Sequence, residues 1–284
     1  MNTKLDVTYH ALDLEIVAKG TFWGWPEMPL RLHLSNYVPG MIMVSSFVLY
    51  YFLLVPIVFP MTKPDAKNEM ATSRLKVWRD RHNLTMFIYS GICCCSTAMW
   101  LLSEGQLFDW HSLLCTPVEG TWLRALSSSF TLSKIVEWVD TAFIVWLGSN
   151  PPQFLHKYHH ATTFWLFCFV MNMPGPEKFG LLMNGGVHTL MYSHYWRSWP
   201  KALVQLITVL QIAQLAFVTY AWTVSPGECP DSAFAGFDIL ALSPSLDFVL
   251  AFLTPYAMVP VFLWLFIVFF VRRFILKKPK SKKV

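Results

Sequence analysis

Charged side chains make up only 14% of this 284-residue chain, against roughly a quarter in soluble domains. That shortage excludes an ordinary soluble enzyme. Hydrophobic residues at 55% and aromatic residues at 16% exclude disorder, which needs a chain too polar to bury a core. Six cysteines are too few for a disulfide scaffold in a chain of this length. No basic start, short apolar stretch and small-residue cleavage site open the chain, so no cleaved signal is expected. No internal repeat or low-complexity run is visible. What remains is a polytopic membrane protein, expected to be all-α and to fill the chain as one domain.

A spanning helix needs about 20 mostly apolar residues. Four windows meet this without help: Gly40 to Phe59, Leu84 to Ser103, Ala202 to Val224 and Phe248 to Val271. Three more, Trp122 to Leu147, Ala161 to Met173 and Phe179 to Trp196, are less apolar and contain ionisable residues. The distribution of Lys and Arg between loops arbitrates, because basic residues stay on the cytosolic side. With seven helices the alternation is nearly clean. Lys63, Lys67, Arg74, Lys76, Arg79 and Arg81, then Lys157, then Arg197 and Lys201, then the tail from Arg272, all fall on one side. The intervening loops, Glu104 to Gly120, Pro174 to Lys178 and Ser225 to Asp247, hold a single basic residue, Lys178. The expectation is a luminal segment 1–37, a seven-helix core 38–271 and a basic cytosolic tail 272–284. The tail ends in KSKKV, a spacing that resembles dibasic retrieval signals of the endoplasmic reticulum; a solvated tail on anionic lipid is the alternative.

Cys115 and Cys229 are the only two cysteines in loops expected to be luminal, where disulfides persist. A bridge between them is expected, with two free thiols as the alternative.

An ionisable group inside a membrane helix costs about 2.5 to 3.5 kcal/mol and usually faces an interior. Lys134, Glu137, Asp140 and Thr141 recur every three or four positions on one helical face. They make either an ion-pair ladder between helices or part of a site. His156, His159 and His160 also share a face, at a cytosolic mouth, and can act as ligands, nucleophiles or proton carriers. Asn184, His188, Met191, Tyr192 and Tyr195 come next at helical spacing, around Gly185 and Gly186, which permit close helix contact. Thr208, Gln211 and Gln214 form a polar stripe in a later helix. Together they describe a polar chamber in a largely apolar shell, which suits an amphiphile with its polar head near the histidines and its apolar tail along the helices.

In order along the chain these residues resemble the signatures of the fatty acid elongase (ELO) family. Lys134, Glu137, Asp140 and Thr141 match K-x-x-E-x-x-D-T; His156, His159 and His160 match H-x-x-H-H; His188, Met191, Tyr192 and Tyr195 match H-x-x-M-Y-x-Y-Y; Thr208, Gln211 and Gln214 match T-x-x-Q-x-x-Q. One departure is His194, which stands where the family has the first tyrosine of its Y-Y pair. The resemblance implies a 3-ketoacyl-CoA synthase of the endoplasmic reticulum that joins a long-chain acyl-CoA to malonyl-CoA, releasing carbon dioxide and CoA. NGGVH before His188 and the absence of a glutamine five residues ahead of His156 resemble the branch acting on saturated and monounsaturated chains, and the resemblance implies that the polar chamber is catalytic and the apolar path an acyl tunnel.

The cysteines lie away from the polar residues, Cys168 excepted, so a histidine is the expected nucleophile. His159 takes that role, with ping-pong kinetics, and His188 stabilises the enolate. His156 and His160 orient the site, and Asp140 or Glu137 fixes an imidazole tautomer. Lys134, Thr141, Asn184, Tyr192, His194, Tyr195, Thr208, Gln211 and Gln214 would contact substrate. Lys134, Lys157, Arg197, Arg272 and Arg273 are candidates for the CoA phosphates. No bound cofactor or metal is expected, and no nucleic acid. The partners implied are the bilayer, the reductases and dehydratase of an elongation cycle, and a second copy in a homodimer.

Two other classes compete. A di-iron desaturase or hydroxylase also uses H-x-x-H-H but needs about eight ligands; of nine histidines, His10, His33, His82 and His111 are scattered outside the motifs. A seven-helix receptor or transporter shares the helix count but has no need of a triple-histidine mouth.

Overall fold

The computed structural model describes residues 44–65, 67–116, 121–148, 151–170, 177–229 and 246–276. The expectations for segment 1–37 and for the retrieval-like ending lie outside them. Among the described residues the regular structure is entirely helical.

Helix α1 (Val44–Met61) is uncharged and mostly apolar, and its middle, Val48–Val58, winds as a π-helix that accommodates Pro56. Helix α2 (Glu69–Ser103) starts where Asn68 accepts the Ala71 amide and Glu69 meets the positive end of the dipole. It stops at Gly105, whose φ of +67° lets Gln106 N–H reach the Leu101 carbonyl at 2.8 Å and Gly105 N–H the Leu102 carbonyl at 3.2 Å, a Schellman ending. Helix α2 therefore begins well before the apolar window at Leu84. Arg74, Lys76, Arg79 and Arg81 ride on a helical overhang, not in the loop expected from charge.

A short helix α3 (Trp110–Cys115) comes next, capped by Asp109, which accepts the Ser112 hydroxyl at 2.6 Å. The window from Trp122 to Leu147 is two helices, α4 (Thr121–Val136) and α5 (Trp138–Leu147), parted by a tightened turn at Glu137. There the Asp140 amide bonds the Glu137 carbonyl three residues back at 3.1 Å. Helix α6 is Phe154–Val170. Helix α7 runs continuously over 177–196, with a π-helical turn at Gly180–Asn184. Helix α8 is Lys201–Glu228. Helix α9 (Leu246–Phe270) carries Pro255 and Pro260 inside it and ends in the wide turn Val271–Ile275.

Among the described residues, four helices are long and apolar enough to cross a membrane: α1, α2, α8 as Lys201–Val224, and α9 as Pro255–Ile275. Their outer faces expose large apolar side chains such as Phe52 and Trp264, as lipid-facing helices do. The stretches 121–147, 154–170 and 177–196 are helical but shorter, broken or more polar.

Side chains tie the helix ends together. Trp146 Nε1 donates to the Phe59 carbonyl at 3.1 Å and Lys63 Nζ to the Gly148 carbonyl at 2.9 Å. At the other ends, Lys178 is fully buried and donates to Gln106 Oε1 at 3.1 Å and to the Ser112 carbonyl at 2.8 Å. It is thus a structural clasp within helix α7, where the sequence reading expects a loop. The expected Cys115–Cys229 disulfide is present, with Cα atoms 5.3 Å apart. Around it Leu114, Phe179, Ala221 and Trp222 form one apolar cluster.

Helices α2 and α7 approach each other closely. A Cβ built on Gly185 would stand 3.3 Å from the Ser90 carbonyl oxygen and the Cys94 amide nitrogen. A side chain at 185 would press its Cβ on the α2 backbone, so glycine eases the close approach of the two helices.

Candidate functional site

The turn at Glu137 sets two carboxylates on successive turns, each facing its own histidine. Glu137 Oε1 accepts from Lys134 Nζ at 2.7 Å, and Lys134 also donates to Asn184 Oδ1 at 3.1 Å. The lysine head lies over the rings of Phe130 and Phe167, at 4.1 and 4.8 Å. Lys134 and Glu137 are each 1% exposed, so neither charge is balanced by water and each needs the other. His188 Nδ1 lies 3.2 Å from the same Glu137 oxygen but is not aligned for a hydrogen bond. Lys134 and Asn184, expected at substrate, are engaged with each other, and the lysine with this carboxylate as well.

Asp140 forms the second group. His82 Nε2 stands 2.8 Å from its Oδ1, and Tyr192 donates its hydroxyl to Oδ2 at 2.6 Å. The sequence leaves His82 among the scattered histidines; the helical overhang of α2 carries it into the site. Neither Asp140 nor Glu137 hydrogen-bonds a histidine of the H-x-x-H-H box.

That role falls to Thr141, one residue on. Its hydroxyl lies 2.8 Å from His156 Nε2 and 2.7 Å from the hydroxyl of Tyr50 on α1. Thr141 has one proton and donates at most once: where it donates to His156, Tyr50 donates to it and His156 Nε2 is bare; otherwise His156 donates from Nε2. Each case fixes one tautomer of His156. Tyr50 is fully buried; sequence reasoning misses it because one of two adjacent tyrosines in an apolar span looks like packing.

The three box histidines do not all face the same way. The His156 and His160 rings are 4.2 Å apart, and Trp138 Nε1 donates to the His160 carbonyl at 2.9 Å. His159 turns instead to α9, with Phe262 at 5.2 Å and Phe266 at 6.3 Å between ring centres. Two imidazole nitrogens, His160 Nδ1 and His188 Nδ1, are buried without a hydrogen-bond partner among the described residues. A buried nitrogen left so costs about 1 to 3 kcal/mol, which a ligand's polar atom would recover.

The remaining candidates lie further out. His194 Nδ1 accepts the Trp199 amide at 3.0 Å and so shapes the turn after α7. Tyr195 is half exposed, with its ring 6.0 Å from that of Tyr192. Thr208 bonds the Val204 carbonyl of its own helix at 3.3 Å. Gln211 approaches Met191 Sδ at 4.0 Å, and Gln214 is buried in α8. Arg272 and Arg273 are exposed on the last turn, where Arg273 lies over Phe269 and Phe274. Among the described residues, no group of three or more His, Cys, Asp or Glu is arranged to hold a metal ion.

Comparison with known proteins gives a consistent result. The model of the ELO: GNS1/SUR4 family matches residues 34–283. The mouse very long chain fatty acid elongase 3 is 31% identical over 202 residues, 65% of this chain and 72% of that protein. Its human counterpart is 36% identical over 123 residues, 39% of this chain and 45% of that protein. The putative fatty acid elongase 3 of Caenorhabditis elegans is 37% identical over 122 residues, 40% of this chain and 37% of that protein. The chain thus spans less than half the length of the human and worm relatives it matches.

Proposed function

The chain belongs to the ELO (GNS1/SUR4) family, and on that premise we propose that it condenses a long-chain acyl-CoA with malonyl-CoA in the endoplasmic-reticulum membrane. The observation that carries this reading is the convergence of polar side chains from α1, α2, α4, α5, α6 and α7 on one buried cluster that leaves the nitrogens of His160 and His188 without partners among the described residues.

His159 attacks the acyl thioester. Its imidazole nitrogen bonds to the carbonyl carbon, the carbon–sulfur bond breaks, and CoA leaves as the thiol with the imidazole N–H proton. The acyl tail lies against the apolar face of α9 at Phe262 and Phe266, which His159 already touches. An acyl-imidazole is about as reactive as a thioester, so one hard step becomes two easier ones. Malonyl-CoA then loses carbon dioxide, and the enolate oxygen takes a hydrogen bond from His188, whose ring stands beside Glu137 with Nδ1 3.2 Å from the carboxylate. The enolate carbon attacks the acyl-imidazole, 3-ketoacyl-CoA departs, and His159 regains a proton from solvent.

The basic overhang of α2 and the exposed Arg272 and Arg273 suit the CoA phosphates. The product calls for the reductases and dehydratase of an elongation cycle.

The test is purified protein with malonyl-CoA and acyl-CoAs from medium to very long chains, read by mass spectrometry. The expected product is a 3-ketoacyl-CoA two carbons longer than the substrate. Acyl-CoA alone should add an acyl mass to the protein, which His159→Ala abolishes. His188→Ala should keep that mass and lose the product. Sequential kinetics with no acyl-protein would refute the two-step route.

A further inference from the structure

His82 lies outside all four motifs, yet it is bonded directly to a site carboxylate. It sits on α2, between the basic overhang and the apolar stretch, with its side chain 12% exposed. Its Nε2 lies 2.8 Å from Asp140 Oδ1, and its ring packs against Phe143 at 5.8 Å and edge-on to Tyr192 at 6.2 Å. Tyr192 holds the other oxygen at 2.6 Å. The Asp140 carboxylate, carried by α5, is therefore gripped at one oxygen from α2 and at the other from α7.

A carboxylate held at both oxygens has one rotamer and fixes the backbone that carries it. The next residue along that backbone is Thr141, whose hydroxyl stands on His156 Nε2. Across from the carboxylate is Tyr192, whose ring lies edge-on to His188 at 5.8 Å. Through one carboxylate, His82 reaches a histidine of the acyl-binding box and the histidine assigned to the enolate.

We propose that His82 is a positioning residue of the condensation: it holds Asp140, and through Asp140 it keeps Thr141 on His156 and Tyr192 against His188. This rests on the elongase reading above. Without His82 the carboxylate keeps only the Tyr192 bond and is free to rotate, and the first turn of α5 loosens with it. Misplacement of a reacting group by about 1 Å costs on the order of a hundredfold in rate.

The test uses the full-length protein in detergent or nanodiscs, with thermal unfolding as the folding control. His82→Gln keeps a donor at the reach of Nε2; His82→Asn is polar but one bond too short; His82→Phe keeps the ring shape without a donor. The expected order is wild type and His82→Gln within about fivefold, and both His82→Asn and His82→Phe down by about ten- to a hundredfold in kcat, with KM for both CoA substrates nearly unchanged. Combining His82→Phe with Asp140→Asn should cost no more than the worse single change, because both act on one bond. If His82→Phe does not fold, the Gln and Asn pair decides alone. Folded His82→Asn with wild-type kcat overturns the proposal, as do losses that multiply in the double variant or a fall equal in Gln and Asn. A wild-type protein that makes no elongated product overturns the elongase reading, and this assignment with it; an active wild type with an indifferent His82 overturns only the assignment.

Discussion

Lys134 and Glu137 set the energetic scale at single residues. A buried ion pair attracts strongly only as a pair, and removing one member leaves the other charged and dry. Glu137→Gln should therefore destabilise the protein by about 3 to 5 kcal/mol, seen as a lower unfolding temperature in detergent. Lys134→Met combined with Glu137→Gln should be less destabilising than Glu137→Gln alone, although both proteins lose the carboxylate beside His188 and should be inactive. Equal or additive losses would mean that water reaches the pair. Most residues of the cluster were legible as types at a spacing, because ionisable side chains in an apolar helix have few reasons to be there. His82 and Tyr50 were not. The first sits where charge density makes the chain look like a loop, and the second stands beside Tyr51 in a mostly apolar span, with nothing in sequence to separate a hydrogen-bonded phenol from a packed ring. The partners of the carboxylates were also beyond reach, since periodicity places Glu137 and Asp140 on one face without saying which histidine each will meet.

At the scale of elements, the crossing of α2 and α7 aligns the site, because it brings His82 on one helix and His188 and Tyr192 on the other to the same pair of carboxylates. The two glycines before His188 were readable as a close-contact signal; their partner, the Ser90 to Cys94 stretch, was not. The contact distances rank three substitutions. Gly185→Ala meets backbone at 3.3 Å, Gly186→Ala meets the rotatable Cys94 Sγ at 3.3 Å, and Gly91→Ala meets Thr189 at an ordinary 3.7 Å. Backbone cannot move aside as a thiol can, so Gly185→Ala should cost about 1 to 3 kcal/mol and most of the activity. Gly186→Ala should cost less, and Gly91→Ala should be nearly silent. Unfolding temperatures and product yields of the three variants check the order, and a Gly91 variant worse than Gly185 would contradict it. Helix boundaries were less legible than helix existence for a physical reason. Apolar windows report where lipid touches a helix, so they pass over the polar overhang of α2, although Asn68 and Glu69 mark its start. The turn at Glu137 lacks glycine or proline and leaves no signature of its own.

For the whole molecule, contacts between helix ends constrain how often the chain crosses the bilayer. Two groups that bond at a membrane face lie on the same side, so an even number of crossings separates them. Lys63 and Trp146 bond across to Gly148 and Phe59; with α2 taken as a crossing between these points, 121–147 would return. Lys178 bonds Gln106 and Ser112; if 121–147 returns between them, 154–170 would cross as well. Lys178 and the disulfide would then share a face, and with α8 as a crossing before Cys229, 177–196 would cross before α8. On this reading the three less apolar helices pair with the four apolar ones, and we propose seven crossings, as the alternation of Lys and Arg leads one to expect. Four crossings alone would put Cys115 and Cys229 on opposite sides of about 30 Å of hydrocarbon. The expectation can be measured with glycosylation acceptors inserted one at a time. With seven crossings, an acceptor in the turn at Gly105 is glycosylated and one in the turn 197–200 is not; with four, the second is glycosylated too. On the seven-crossing arrangement the disulfide would face an oxidising compartment. Cys115→Ser should therefore lower the unfolding temperature, with a cost of about 2 to 4 kcal/mol, and reductant should reproduce the loss in the wild type but add nothing in the variant.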